Sequence, residues 1–202
     1  MAFVNLARRE LHCKIVYYGP GLGGKTTNLV VLHQRLPEEQ RSEMVRLQTP
    51  GERTLYFDFL PLDLGEIRGL RTRFHLYTVP GQVSLRATRR LVLQGADGVV
   101  FVADSDPARF FANRHSYDDL RQNLARLGRS LESLPLVLQY NRRDHPRALP
   151  RLQLDRLLNA AGRPVFEAVA VRGEGVAETL RAVLQCVLAE LARQPARRAA
   201  RA

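Results

Sequence analysis

Residues 11–36 read LHCKIVYYGPGLGGKTTNLVVLHQRL, and this stretch decides the fold. LHCKIVYY (11–18) is a strand-like run of apolar and β-branched residues that ends in a glycine-rich turn. TTNLVVLHQRL (26–36) then has helical spacing, with Leu29, Leu32 and Leu36 on one side. Between them GPGLGGKT (19–26) satisfies G-x-x-x-x-G-K-[ST] through Gly19, Gly24, Lys25 and Thr26. A strand before and a helix after are the context that a phosphate-binding loop requires. Glycines let the backbone amides of Gly21, Leu22, Gly23, Gly24 and onward to Thr27 curl around phosphate oxygens, and the helix N-terminus adds a favourable dipole. Lys25 is placed to reach the β/γ-phosphates, and Thr26 offers its hydroxyl to magnesium.

Outward from this loop, apolar runs alternate with amphipathic segments. TLYFDFLPL (54–62) and GLRTRFHLYTV (69–79) flank the turn-rich DLGEIRG and predict a hairpin. GVVFVADS (98–105) and LPLVLQYN (134–141) are continuous apolar strands of the kind buried in parallel sheets. PVFEAVAV (164–171) predicts a last short strand. Helices are predicted over 108–127, over 149–162 closing at Gly162, and over 176–194, broken by Pro195. The pattern predicts a three-layer α/β fold, a mostly parallel sheet with one antiparallel hairpin strand. One domain is expected over 1–194, with 195–202 a short, basic, flexible tail.

Composition narrows the function. With 202 residues, 45% hydrophobic and 25% charged, the chain matches an ordinary soluble globular domain. No apolar run approaches the roughly 20 residues of a membrane span, and MAFVNLARRE lacks a signal-peptide core, so a cytoplasmic location is expected. Cys13 and Cys186 are too few for a secreted disulfide framework. The net charge of +11 invites a nucleic-acid reading, but the basic residues are spread along the chain without aromatic interleaving. Membrane contact is at most peripheral. All but two of the 31 basic residues are Arg, which makes Lys25 conspicuous. The five His show no metal-ligand spacing.

The base is chosen elsewhere. NRRD (141–144) sits at the carboxyl end of a strand, where open α/β sheets bind ligands. Asp144 can accept hydrogen bonds from guanine N1–H and its amino group, while Asn141 can bond the base edge and brace the phosphate loop. Adenine presents a lone pair at N1, which would cost about 1–3 kcal/mol against that carboxylate. In TVPGQ (78–82), Gly81 can offer its N–H to a γ-phosphate and Gln82 can orient water. In ERT (52–54), Thr54 is a candidate second magnesium ligand and Arg53 a candidate arginine acting on the transition state.

GPGLGGKTTN, the 49–82 stretch from TPGERT to TVPGQ, GADGVVFVADS and QYNRRD together resemble a small Ras-like GTPase of the bacterial MglA (gliding-motility and cell-polarity) type, over residues 1–193. That resemblance implies a GTP/GDP switch using Mg2+, slow to hydrolyse and accelerated by a roadblock-domain activating partner of the MglB kind. It further implies nucleotide-dependent effectors, an exchange factor, and recruitment to a cell pole. By carry-over, Arg53 acts as an intrinsic arginine finger, Gln82 positions the water, and Ala170 donates its N–H to guanine O6. Thr78 stands where Ras-like proteins carry a magnesium-supporting Asp, as it does in the MglA group, and Arg142 replaces the usual Lys. An arginine there can stack its guanidinium on a base. Gly23 stands where the family is bulkier. Two alternatives stay open on the residues alone: a nucleotide-binding adaptor that does not hydrolyse, and an ATP-using enzyme built on the same loop.

Overall fold

The computed structural model describes residues 3–5, 8–37, 44–47, 57–67, 69–81 and 85–193. Its eight strands are β1 (Phe3–Asn5), β2 (Glu10–Tyr18), β3 (Val45–Leu47), β4 (Phe57–Ile67), β5 (Leu70–Thr78), β6 (Gly98–Asp104), β7 (Leu136–Asn141) and β8 (Val165–Glu167). The helices are α1 (Lys25–Arg35), α2 (Arg86–Leu93), α3 (Phe110–Arg126), α4 (Arg151–Leu158) and α5 (Val176–Arg193). One sheet runs in the order β3-β4-β5-β2-β6-β7-β8, with β1 paired to β2. The central pairs β5-β2, β2-β6, β6-β7 and β7-β8 are parallel, and β4-β5 is the antiparallel hairpin. This is the expected α/β architecture. The short strands β1 and β3, absent from the sequence reading, add antiparallel pairings at its margins.

Burial along the strands follows which faces are covered. β6 and β7 are buried at every position, and their runs are mostly apolar, with Asp104, Gln139 and Asn141 the buried polar residues. One face of the sheet packs on α1 and α5, with Ile15, Tyr17, Leu29, Leu76, Val102 and Val183 in a single cluster. The other packs on α2, α3 and α4 through Val16, Tyr18, Leu93, Phe101, Leu120 and Leu154. Each such side chain contributes about 1.5–3 kcal/mol by leaving water. β2 alternates from Glu10 to Lys14 and is buried on both sides only from Ile15 on, where the second helical layer begins.

Four boundaries differ from expectation. The helix expected over 149–162 stops at Leu158, because the Asn159 side chain takes over the Arg163 backbone, accepting from its N–H at 2.7 Å and donating to its carbonyl at 3.0 Å. The strand expected over 164–171 ends at Glu167, and Ala170–Arg172 coil into a 3-10 turn once Ala170 N–H turns to Asn141. DLGEIRG is not all turn: β4 runs through to Ile67 with a bulge between Asp63 and Glu66. α2 has no counterpart in the sequence reading. The tail from 195 on lies outside the described residues.

Candidate functional site

The carboxyl ends of β2, β6 and β7 meet the N-terminus of α1, and the loop 19–24 lies across them. Every carbonyl of that loop is held by a donor. Lys25 Nζ donates to Gly19 O (3.1 Å) and Pro20 O (2.7 Å), and Arg109 Nη2 to Gly21 O (2.6 Å). Arg142 Nη2 holds Leu22 O (3.1 Å), Asn141 Nδ2 holds Gly23 O (2.9 Å), and Asn28 Nδ2 holds Gly24 O (2.9 Å). A peptide's N–H points opposite its C=O, so the held carbonyls fix the directions of the amides, which donate to nothing within the loop. Gly23 is the exception, its N–H closing a turn on Pro20 O at 3.3 Å. No side chain caps α1, which suits a helix end whose amides and dipole await an anion. Gly24 has φ +101, and a Cβ there would run into Asn141 Nδ2, so only glycine lets the base-side strand brace the loop.

The cavity beside this loop has a volume of about 450 Å³ and is lined by Leu22, Gly24 to Thr27, Asp58, Thr78 to Gly81, Leu85 and Arg142. Its charge is mostly positive. Lys25 is almost wholly buried, and burial, together with the positive charge of Arg89 and Arg109 and opposed by Asp58, brings its ammonium down to about 7. A polyanionic ligand would reverse that and restore the proton. Gly81 is packed so closely on Gly21 that a Cβ on it would strike Gly21 Cα. Arg89, 2% exposed, pins this arrangement by donating to Pro80 O (2.8 Å) and Gly81 O (2.7 Å) while pairing with Asp119 (2.9 Å).

Three oxygens converge at the cavity floor. Thr26 Oγ1 donates to Asp58 Oδ2 at 2.5 Å, and Thr78 Oγ1 donates to the same oxygen at 3.0 Å while accepting from Asp58 N–H at 2.8 Å. Two hydroxyls and a carboxylate are the hard donors that magnesium takes, and they fit it. Among the described residues no cluster of three or more His, Cys, Asp or Glu could hold a metal by itself. A cation here would therefore also use water and ligand oxygens, as magnesium does at phosphate sites. Asp58 was not singled out from the sequence. Its signal was legible: it occupies an inward position of β4, in phase with buried Leu60 and Leu62.

On the base side, Asn141 is buried and links both loops, donating to Gly23 O and accepting from Ala170 N–H at 2.9 Å. That N–H, implied as a donor to guanine O6, is thus shared with Asn141 here. Arg142, at φ +60, bridges Leu22 O and Asp104, 3.1 Å from the carboxylate. Burial raises the Asp104 carboxyl above its ordinary range despite Arg142 and Arg109. Asp144 is 41% exposed, with Arg172 at 4.0 Å. Arg53, Thr54 and Gln82 lie outside the described residues.

The sequence profile of the ADP-ribosylation factor family matches residues 1–187. The chain belongs to this family of small GTPases. It is also 53% identical over 191 residues to the mutual gliding-motility protein MglA of Myxococcus xanthus (strain DK1622), covering 95% of this chain and 98% of that one. As a member of the family it binds guanine nucleotides and is a GTPase, which selects among the readings left open by the residues. No helix among the described residues is long and apolar enough to cross a membrane.

Proposed function

We propose that this chain is a magnesium-dependent GTP/GDP switch that hydrolyses slowly alone and quickly with a roadblock-domain partner. Its cellular task would be that named for its Myxococcus relative, gliding motility, with cell polarity as the wider setting. The observation that carries the reading is the loop 19–24, whose carbonyls are all held by donors and which leads into a helix N-terminus without a side-chain cap. Lys25 neutralises charge on the β/γ-phosphates, and the amides from Gly21 to Thr27 bind their oxygens. Thr26 and Asp58, with Thr54 as a further hydroxyl ligand, would hold magnesium, which when bound would neutralise phosphate charge. Thr78 orients Asp58 through two hydrogen bonds.

Gly81 presents its N–H to the γ-phosphate, which needs the space where Gly81 packs on Gly21 in this structure. GTP therefore moves the segment that follows Thr78, and GDP lets it return; effectors and an exchange factor would read that difference. Gln82 orients water for attack on the γ-phosphorus, the bond to the β–γ bridging oxygen breaks, and GDP and phosphate leave. Arg53 stabilises the charge that develops on the way. Asp144, Asn141 and Ala170 read guanine, in a chain that works in the cytoplasm and is recruited to a pole. Single-turnover hydrolysis with a roadblock partner tests the catalytic assignment. Gln82→Ala and Arg53→Ala should each slow it about 10³-fold or more. Parent-like rates in both variants would overturn the assignment.

A further inference from the structure

Phosphate and base loops are joined inside the protein by a continuous polar chain that runs through an apolar core. Asn28, in the first turn of α1, and Gln139, two residues before Asn141 on β7, face each other as a reciprocal amide pair. Asn28 Nδ2 donates to Gln139 Oε1 at 2.9 Å, and Gln139 Nε2 returns a bond to Asn28 Oδ1 at 2.9 Å. The second Asn28 N–H holds Gly24 O at 2.9 Å, and the second Gln139 N–H reaches Thr179 Oγ1 on α5 at 3.0 Å. Thr179 donates in turn to Gly175 O at 2.5 Å. All three side chains are 0% exposed. The far end of α1 is tied to the same segment: Arg35 donates to Arg172 O at 2.7 Å and Gly173 O at 2.9 Å, its guanidinium filling the space that a Cβ on Gly173 would take.

Apolar side chains would fill this space without the desolvation cost of burying amides. What the amides add is direction, since each fully satisfied hydrogen bond fixes distance and rotation between the elements it joins. We propose that Asn28, Gln139, Thr179 and Arg35 are positioning residues that hold the loop 170–175 in register with the phosphate loop. They make guanine discrimination depend on α1. The inference rests on the reading of Asn141, Asp144 and Ala170 as the base site. A nucleotide spans both loops, so slack between them weakens the base contacts of a ligand whose phosphates are already seated. Pyrophosphate, which spans only one, is indifferent to that slack.

Competition against a fluorescent GDP, using GDP, ADP and inorganic pyrophosphate, tests this on Arg35→Ala, the double variant N28L/Q139L, and Asp144→Asn as reference. Removing both amides leaves no unpaired partner between them, and Arg35→Ala touches only the surface end of α1, so one variant stays informative if the other does not fold. The expected result is a GDP affinity about tenfold weaker and a narrower GDP-over-ADP preference. In Arg35→Ala pyrophosphate affinity stays within about twofold, and Arg35→Lys recovers part of the loss; N28L/Q139L also takes a donor from Gly24 O, so it is read on its GDP-over-ADP preference alone. Equal losses for GDP and pyrophosphate in Arg35→Ala, or an unchanged GDP-over-ADP preference in both variants, would overturn the inference while Asp144→Asn still erodes guanine preference. Were Asp144→Asn also without effect, the base-site reading itself would fall, and this inference with it.

Discussion

Asp58 shows how a single residue joins fold and chemistry. Strand alternation turns it inward, where an unpaired carboxylate would be costly, and the hydroxyls of Thr26 and Thr78 hold it there. Thr78 carries no charge of its own and holds the Asp58 carboxylate in place through two hydrogen bonds. Asp58→Asn keeps the shape and loses the charge, so magnesium should slow GDP release about 10–100-fold less than in the parent. Release rates with magnesium and with chelator measure this. His75 gives a prediction of another kind. Burial first, then neighbouring His12 and Arg73, hold its pKa below the ordinary value. Its ring stacks on Phe59 and bonds His12 at 2.9 Å, with Glu10 on the far side of His12. The depressed value means that the folded state resists protonation. Stability from this group is present above pH about 6.5 and is lost as pH falls below it. His75→Phe should flatten the fall in thermal midpoint between pH 7 and pH 5; an unchanged slope would assign the acid sensitivity elsewhere.

Elements differ in how far the sequence discloses them. β6 and β7 declared themselves because burial on both faces leaves runs that are mostly apolar. α1 did so because the loop motif fixes where it starts. α2 stayed hidden because beside Val92 and Leu93 one of its three inward residues is a guanidinium: Arg89 is buried by ion pairing and carbonyl bonds rather than by apolarity. Its partners, Asp119 on α3 and the carbonyls of residues 80–81, are contacts that periodicity does not report. Arg89→Leu would remove the buried cation from Asp119, leaving it Tyr18 OH at 2.6 Å and the more exposed Arg86 at 3.6 Å, and should cost about 3 kcal/mol in urea unfolding. It should also speed hydrogen exchange near Gly81, since the segment would lose both of its ties to α2. A variant as stable as the parent would show that Arg89 does not clamp that segment.

At the scale of the whole molecule, local motifs were legible and their connections were not. The loop 19–26, Asn141 and the strand order's parallel centre follow from spacing alone. That Arg109 holds Gly21, that Arg142 bridges Leu22 and Asp104, and that Asn28 meets Gln139 all depend on residues about 38 to 120 positions apart. Such pairings exist only once the sheet has brought the carboxyl ends of its strands together. The net charge of +11 finds a use at that place, where Lys25, Arg89, Arg109 and Arg142 gather around one cavity suited to a polyanion. The central claim is that this cavity and the neighbouring loops 141–144 and 170–175 form one guanine-nucleotide site. Competition among GDP, GTP, ADP and ATP in magnesium, on the parent and on Asp144→Asn, tests it most directly. The account predicts a guanine preference of about a hundredfold in the parent, collapsing in the variant. Adenine nucleotides binding the parent as well as guanine nucleotides would contradict it.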